Sequence, residues 1–316
     1  MMTETILLIA ETDAARIDAY LAENTEFSRS KLSKLIKDGA VLRNDRTCKP
    51  NTEVKMGDTI RIEAPMTEDA VLPEPENIPL DVVYEDDDLA VINKPKGMVV
   101  HPAPGNESGT LVNALLYRFG TLSEANGPRP GIVHRIDRLT SGLLVVAKND
   151  RTHEALSRQF ADHSAHREYV CLVHGNLKED SGTIDAPIGR HKTDRKRMAV
   201  VENGRRAVTH WRVLERFGTE ALLDVALETG RTHQIRVHMA YIKHPIVGDE
   251  VYGSPASKLG LNGQALHGYR LTFTHPKTEE TMSFTAPIPE DFQTALKRLG
   301  STVLQTDAPF LLQIKT

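Results

Sequence analysis

Apolar residues recur at helical spacing near the start of this chain and in short, strand-length runs further on. Ile17 and Leu21 lie four apart in residues 16–21. Leu32, Leu35 and Ile36 repeat that spacing behind Ser28 and Ser30, either of which suits an N-cap. Gly39 supplies a stop. Lys31, Lys34 and Lys37 fall on the opposite side of this second helix, which predicts one apolar and one basic face. Asn44-Asp45 and Gly57-Asp58 mark turns in a hairpin-like segment that closes with Thr59-Ile60-Arg61-Ile62. Residues 13–63 are therefore expected to form a small α/β module.

Residues 64–80 carry Pro65, Pro73, Pro75 and Pro79 among acids, and such segments behave as semi-rigid linkers. Beyond residue 81, apolar runs at 89–93, 142–148, 169–173 and 221–227 alternate with helical patterns at 152–160 and 232–242. This predicts an α+β domain over residues 81–300, built on a large, mostly antiparallel mixed sheet with flanking helices. The regular strand–helix alternation and glycine fingerprint of a dinucleotide fold are missing. A last helix is expected around residues 292–299, before a C-terminal tail at 301–316.

At 316 residues the chain has room for a large domain and a small one, and 40% hydrophobic with 26% charged residues is ordinary for a soluble globular protein. Cys48 and Cys171 lie too far apart in sequence to suggest a disulfide framework, which fits a reducing cytosol. The apolar run at residues 6–10 is too short for a signal sequence, and no later stretch is long enough to span a membrane. A cytoplasmic protein with no membrane partner is expected.

The net charge of −4 hides a segregation. Residues 28–63 hold nine Lys/Arg against five acids, residues 64–93 hold nine acids and no Lys/Arg, and residues 190–206 hold seven Lys/Arg against Asp194 and Glu202. Local fields of this kind, rather than the total, decide whether a surface attracts phosphate.

Candidate chemistry centres on His134-Arg135-Ile136-Asp137-Arg138-Leu139-Thr140-Ser141-Gly142. One carboxylate stands between two guanidinium groups, just before an apolar strand. A surface pair of Asp137 with Arg135 or Arg138 would be worth only about 0–1 kcal/mol, and spacing alone does not choose between that and a chemical role. Three further segments share the polar density: Asn93-Lys94-Pro95-Lys96-Gly97, a tight basic loop; Arg167-Glu168-Tyr169; and Glu228-Thr229-Gly230-Arg231-Thr232-His233-Gln234-Ile235-Arg236-Val237-His238, which leads to Gly248-Asp249. Tyr169 by itself reads as a core residue more readily than as a stacking platform. His233 and His238 are five apart with no cysteine nearby, so no metal site is expected.

Two resemblances order these features. Arg16-Ile17-Asp18, Ser28-Arg29-Ser30, Ile36-Lys37-Asp38-Gly39-Ala40-Val41 and Gly57-Asp58 resemble an S4 RNA-binding domain. The resemblance implies that a basic helix bearing Arg29, Lys31, Lys34 and Lys37 lies on structured RNA. The Asp137 run and Gly230-Arg231-Thr232-His233-Gln234-Ile235-Arg236 resemble the RluA-type family of pseudouridine synthases, most of all those acting on large-subunit ribosomal RNA (type D). This implies isomerisation of uridine in RNA without cofactor or metal. It also implies that Asp137 is catalytic, Tyr169 stacks on the flipped base, Arg231 pairs with Asp137, and Arg135 displaces the base. Leu139 and Gly268 depart from the family, where an acid and an alanine are usual. Two alternatives remain: a non-catalytic S4-type ribosome-assembly protein, and a carboxylate-using nucleoside hydrolase that releases uracil. Isomerised uridine, unchanged RNA or abasic RNA would tell the three apart.

Overall fold

A computed structural model describes residues 3–25, 27, 29–65, 73–103, 105–125, 129–191, 193–194, 197–253 and 259–306. The short apolar run near the N-terminus is a strand, β1 (Thr3–Ile9), that pairs antiparallel with a later strand of the small module. Helices α1 (Ile17–Asn24) and α2 (Arg29–Lys37) follow, then β2 (Val41–Arg43), β3 (Arg46–Thr47) and β4 (Thr59–Pro65), in sheet order β1-β4-β2-β3. Ile17, Tyr20 and Leu21 of α1 pack with Leu32, Leu35 and Ile36 of α2 over Ile60 and Ile62 of β4. The helical spacing read from the sequence is thus the core of the module. Asn44 and Asp45 take positive φ values of 50° and 59°, as a tight hairpin turn between β2 and β3 requires. The module begins upstream of residue 13, because β4 would otherwise expose an unpaired edge where β1 now lies. Ser28, one of the two expected N-caps, lies outside the described residues, as do positions 66–72 of the linker and 307–316 of the tail.

The remaining strands are β5 (Val82–Glu85), β6 (Leu89–Lys94), β7 (Ser141–Ala147), β8 (His166–His174), β9 (Ser181–Asp185), β10 (Ile188–Arg190), β11 (Met198–Val200), β12 (Val208–Arg216), β13 (Glu220–Leu227), β14 (Leu266–Thr274) and β15 (Thr281–Thr285). They are interleaved with α3 (Leu111–Phe119), α4 (Asp150–Ala161), α5 (Gln234–Tyr241) and α6 (Glu290–Arg298). Nine strands form one sheet in the order β5-β6-β7-β14-β8-β13-β12-β9, with β15 added to β14; β10 and β11 form a separate hairpin. Among the described residues only β7 and β14 pair in parallel, so the sheet is mixed and mostly antiparallel.

Alternation along the strands builds two cores. Ala90, Ile92, Leu144 and Val146 face one side, with Leu111 and Leu115 of α3 and Phe292 of α6; Leu89, Val91, Leu143 and Val145 face the other, with Leu156 of α4. Both faces of β7 are covered, which is why its sequence is an unbroken apolar run. Thr110 and Asn113 cap α3 reciprocally, and Asn149 caps α4 by accepting from the Thr152 N–H. The parallel crossing of β7 and β14 brings Gly142 against Gly268 so closely that a Cβ at 142 would lie 2.3 Å from the Gly268 carbonyl oxygen. Glu74 and Glu76, at the end of the proline-rich segment, are hydrogen-bonded to the start of α3 through Asn113 and Gly109.

Candidate active site

Asp137 sits in a tight turn ahead of β7, closed by the Thr140 N–H donating to the Asp137 carbonyl (3.1 Å). The neighbouring Arg138 carbonyl accepts from the Gly97 N–H (2.8 Å) and from Lys94 Nζ (3.2 Å). Lys94 Nζ also donates to the carbonyls of Pro95 and Met98, both at 2.9 Å. The Lys94 side chain is fully buried, which lowers its pKa to about 7, with the Asp137 charge opposing the shift. Lys96 pairs with Asp291 at 2.8 Å. The expected basic loop therefore turns its two lysines inward, and Lys94 staples it to the Asp137 turn.

The side chain of Asp137 is 19% exposed, and its Oδ2 accepts from Arg236 Nη1 at 3.0 Å. Its Oδ1 stands 3.8 Å from His233 Nε2, too long for a hydrogen bond. The other edge of Arg236 forks onto the fully buried Asp249 at 2.7 and 2.9 Å, and Asp249 also accepts from the N–H groups of Val251 and Tyr252. Burial works to raise the Asp249 pKa, but the Arg236 fork and those amides outweigh it and the net shift is downward. Arg236 lies in the first turn of α5, a place where the helix dipole disfavours a cation; two carboxylates compensate.

This corrects the expectation for Arg231, which does not pair with Asp137. Its Nε donates to the Arg206 carbonyl (2.8 Å), its N–H donates to Gln234 Oε1 (2.9 Å), and its Nη2 is bound to Glu11 of the small module. The chain takes a left-handed step at His233 (φ 57°) between the two arginines, and only Arg236 rides on the helix that follows. Arg138 turns away from Asp137, its Nε donating to the Gly97 carbonyl (3.1 Å), and Arg135 is exposed beside the recess.

Tyr169 lies in β8, where its neighbours across the sheet are Val225 and Gly268. It is buried; burial raises its hydroxyl pKa, Arg167 opposes this and Asp137 adds to it. A Cβ on Gly268 would stand 3.1 Å from the Tyr169 ring, so the glycine gives this ring room. Asp137, Thr140, Tyr169, Leu227, Ile235 and Arg236 line a recess of about 100 Å³, and Arg135 and Arg231 reach it from one side. An apolar wall with a few convergent polar groups is the usual form of a small-ligand site.

In the small module Arg29 pairs with Asp18 (3.2 Å), Lys31 Nζ stands 4.3 Å from the Phe27 ring centroid, and Lys34 and Lys37 are exposed on α2. Of the basic stretch at 190–206, Arg197 lies over the Tyr252 ring (5.3 Å), whereas Lys192, Arg195 and Lys196 lie outside the described residues. His238 is hydrogen-bonded to Thr209 Oγ1 and the Ala186 carbonyl, both at 2.9 Å, which explains a buried histidine structurally.

Sequence reasoning passed over Arg236, Asp249, Lys94 as a tether, and Glu11. The available signal was Asp249 itself, an acid in an apolar Ile246-Val247-Gly248-Asp249 run that needs a cation if buried.

Comparison with known proteins bears on the same segments. The family described as RNA pseudouridylate synthase matches residues 88–241, and the S4 domain matches residues 15–60. A Bacillus subtilis protein described as the uncharacterized RNA pseudouridine synthase YlyB is 50% identical over 292 residues, covering 92% of this chain and 95% of its own. The ribosomal large subunit pseudouridine synthase D of Xanthomonas campestris is 46% identical over 297 residues, 90% of this chain and 88% of its own. Among solved structures, human RNA pseudouridylate synthase domain containing 1 superposes with a TM-score of 0.55 at 26% identity, over 72% of this chain and 97% of its own.

Proposed function

The chain belongs to the RNA pseudouridylate synthase family, and we propose that its substrate is uridine in large-subunit ribosomal RNA, with Asp137 acting on the ribose. Membership of a catalytic family sets aside the alternative of an S4 protein that only grips RNA. The ribosomal assignment follows relatives such as the Xanthomonas enzyme.

Isomerisation breaks the N1–C1′ bond, turns the uracil and joins C5 to C1′; C5 loses a proton and N1 gains one. A carboxylate can serve by attacking C1′ or by taking the C2′ proton. Arg236 engages Oδ2 of Asp137, which lines the recess and keeps 19% of its side chain exposed, so the acid is oriented without being covered. Tyr169 offers a ring for the flipped base and a hydroxyl for proton movement. Arg135, exposed beside the recess, would fill the gap that the base leaves and so lower the few kcal/mol that flipping costs. Arg231 supports the site from its place beside the recess.

The small module, from β1 to β4, would hold structured RNA through Arg29, Lys31, Lys34 and Lys37, with the proline-rich segment after it as the connection to a catalytic domain at 81–300. A ribosomal RNA substrate goes with a cytoplasmic location. No helix among the described residues is long and apolar enough to cross a membrane.

The observation that carries this reading is the Asp137–Arg236 pair in one recess with Tyr169. The test is to map pseudouridine in ribosomal RNA from cells with the protein, without it, and with Asp137→Asn. Specific pseudouridines should vanish in the last two, while Asp137→Asn protein still binds the RNA. Product formation by Asp137→Asn at the normal rate would remove Asp137 from the chemistry. An unchanged large-subunit map would remove the substrate assignment.

A further inference from the structure

A second cavity, of about 420 Å³, lies between the small module and the catalytic domain. Among the described residues its charged lining is Arg129, Arg135, Arg167, Arg205 and Arg231, against the single carboxylate of Glu11. Glu11 is ion-paired with Arg231, and its other oxygen stands 3.7 Å from His163 Nε2. The buried Nε–H groups of Arg167 and Arg205 make no hydrogen bond. Buried donors of this kind are costly unless something accepts from them. Burial, reinforced by Arg231, lowers the Arg205 pKa to about 10, so the cations crowd one another. Arg167 is pushed down by burial too, with Tyr169 opposing and Arg231 adding to the shift.

Cations packed together with unmet donors call for an anion larger than one carboxylate. Arg135, Arg167, Gly230 and Arg231 line both this cavity and the Asp137 recess, so the two spaces adjoin. An anion seated in the cavity would neighbour a nucleotide in the recess. Phosphodiester oxygens suit guanidinium forks, and arginine is the residue that most often binds them in this way.

We propose that this cavity seats the RNA backbone phosphate next to the target uridine, on Arg167, Arg205 and Arg231, and that Glu11 stands in for that phosphate until RNA arrives. The inference rests on the reading that RNA is the substrate. Glu11 is then a latch. RNA must break its pair with Arg231, and in doing so removes the ion pair that joins the small module to the rim of the site.

The test uses full-length protein and a ribosomal RNA stem-loop in which the wild-type protein forms pseudouridine. Glu11→Gln keeps the side chain's shape and removes its charge. It should raise affinity and kcat/KM by about five-fold, the size expected for releasing one part-buried ion pair. A merely structural staple would show the opposite sign, with lower melting temperature and lower activity, and that result would overturn the latch. Arg205→Gln should flatten the plot of log affinity against log salt by roughly 0.7–0.9, the effect of one phosphate contact. Replacing the phosphate beside the target uridine with a neutral methylphosphonate should weaken wild-type binding more than Arg205→Gln binding, because the variant has already lost one of the three contacts. An unchanged salt slope, or equal methylphosphonate losses in both proteins, would overturn the phosphate site. Failure of the wild-type protein to modify any ribosomal RNA would instead count against the RNA reading itself, so the two failures are distinct.

Discussion

Lys94→Met removes an ammonium group from the interior and keeps the length of the side chain. Holding a lysine whose pKa has fallen from 10.5 to about 7 costs on the order of 5 kcal/mol, at about 1.4 kcal/mol per pKa unit. The substitution relieves that cost. It also breaks three hydrogen bonds from a charged donor to the carbonyls of Pro95, Met98 and Arg138, worth about 1.5–3 kcal/mol each. The net loss lies between about zero and 4 kcal/mol, less than the roughly 5–15 kcal/mol that holds a domain together, so the variant should fold. Activity should respond differently. The Arg138 carbonyl is one residue from Asp137, and a displacement of about 1 Å at a reacting group costs on the order of 100-fold in rate.

The assay is a single-turnover rate on an RNA substrate, set beside chemical unfolding measured from pH 7 to pH 10. Rate should fall about 100-fold with RNA affinity unchanged. The unfolding data carry a second signature. Between pH 7 and 10.5 the unfolded lysine holds a proton that the folded one has lost, so wild-type stability rises with pH across that window and levels off below it. The Met variant should lack this slope. A rate within about three-fold of wild type would refute the tether, since it falls well short of the expected loss. A slope equal in both proteins would refute the assignment of the titration to Lys94.

Three further outcomes are expected. Tyr169→Phe keeps the ring and loses the hydroxyl, so RNA affinity should hold while the rate falls about 100-fold, as for loss of proton transfer; an unchanged rate would leave Tyr169 with stacking alone. Arg236→Met strands the buried Asp249 carboxylate and should cost about 3–5 kcal/mol in unfolding free energy, whereas Arg236→Met with Asp249→Leu should recover stability but not activity. Acid should weaken the catalytic domain selectively: burial lowers His101 to about 3 and His153 and His267 to about 4. Their unfolded forms take up protons first as pH falls through 6.5, so each should remove about 2 kcal/mol by pH 5. All thirteen histidines lie at or beyond residue 101, so calorimetry at pH 5 and pH 7.5 should show no such loss in the small module.

Elements and turns were legible in the sequence because their causes are local. The unbroken run of β7, the apolar spacing of α2 and the Asn44-Asp45 turn each follow from residues within a few positions of one another. Strand β1 was not legible as a member of the module. Five apolar residues specify a strand-forming segment but not its partner, which lies some fifty residues away in β4.

Charge pairing marks the same limit more sharply. Asp137 meets Arg236 across 99 positions, and Glu11 meets Arg231 across 220. The motif around residue 231 offers two arginines five apart, and only the left-handed step at His233 decides which of them faces the acid. A lysine in a Pro-Gly loop likewise reads as solvent-exposed until three carbonyls are found converging on it. Residue type singled out the Asp137 run as a candidate, the family resemblance added Tyr169 and a partner cation, and the identity of that cation depended on tertiary geometry. The same geometry joins the halves of the molecule. Because Arg236 takes the pairing with Asp137, Arg231 is left to bind Glu11 of the small module, so two arginines five positions apart tie the Asp137 turn and the small module to one segment of chain.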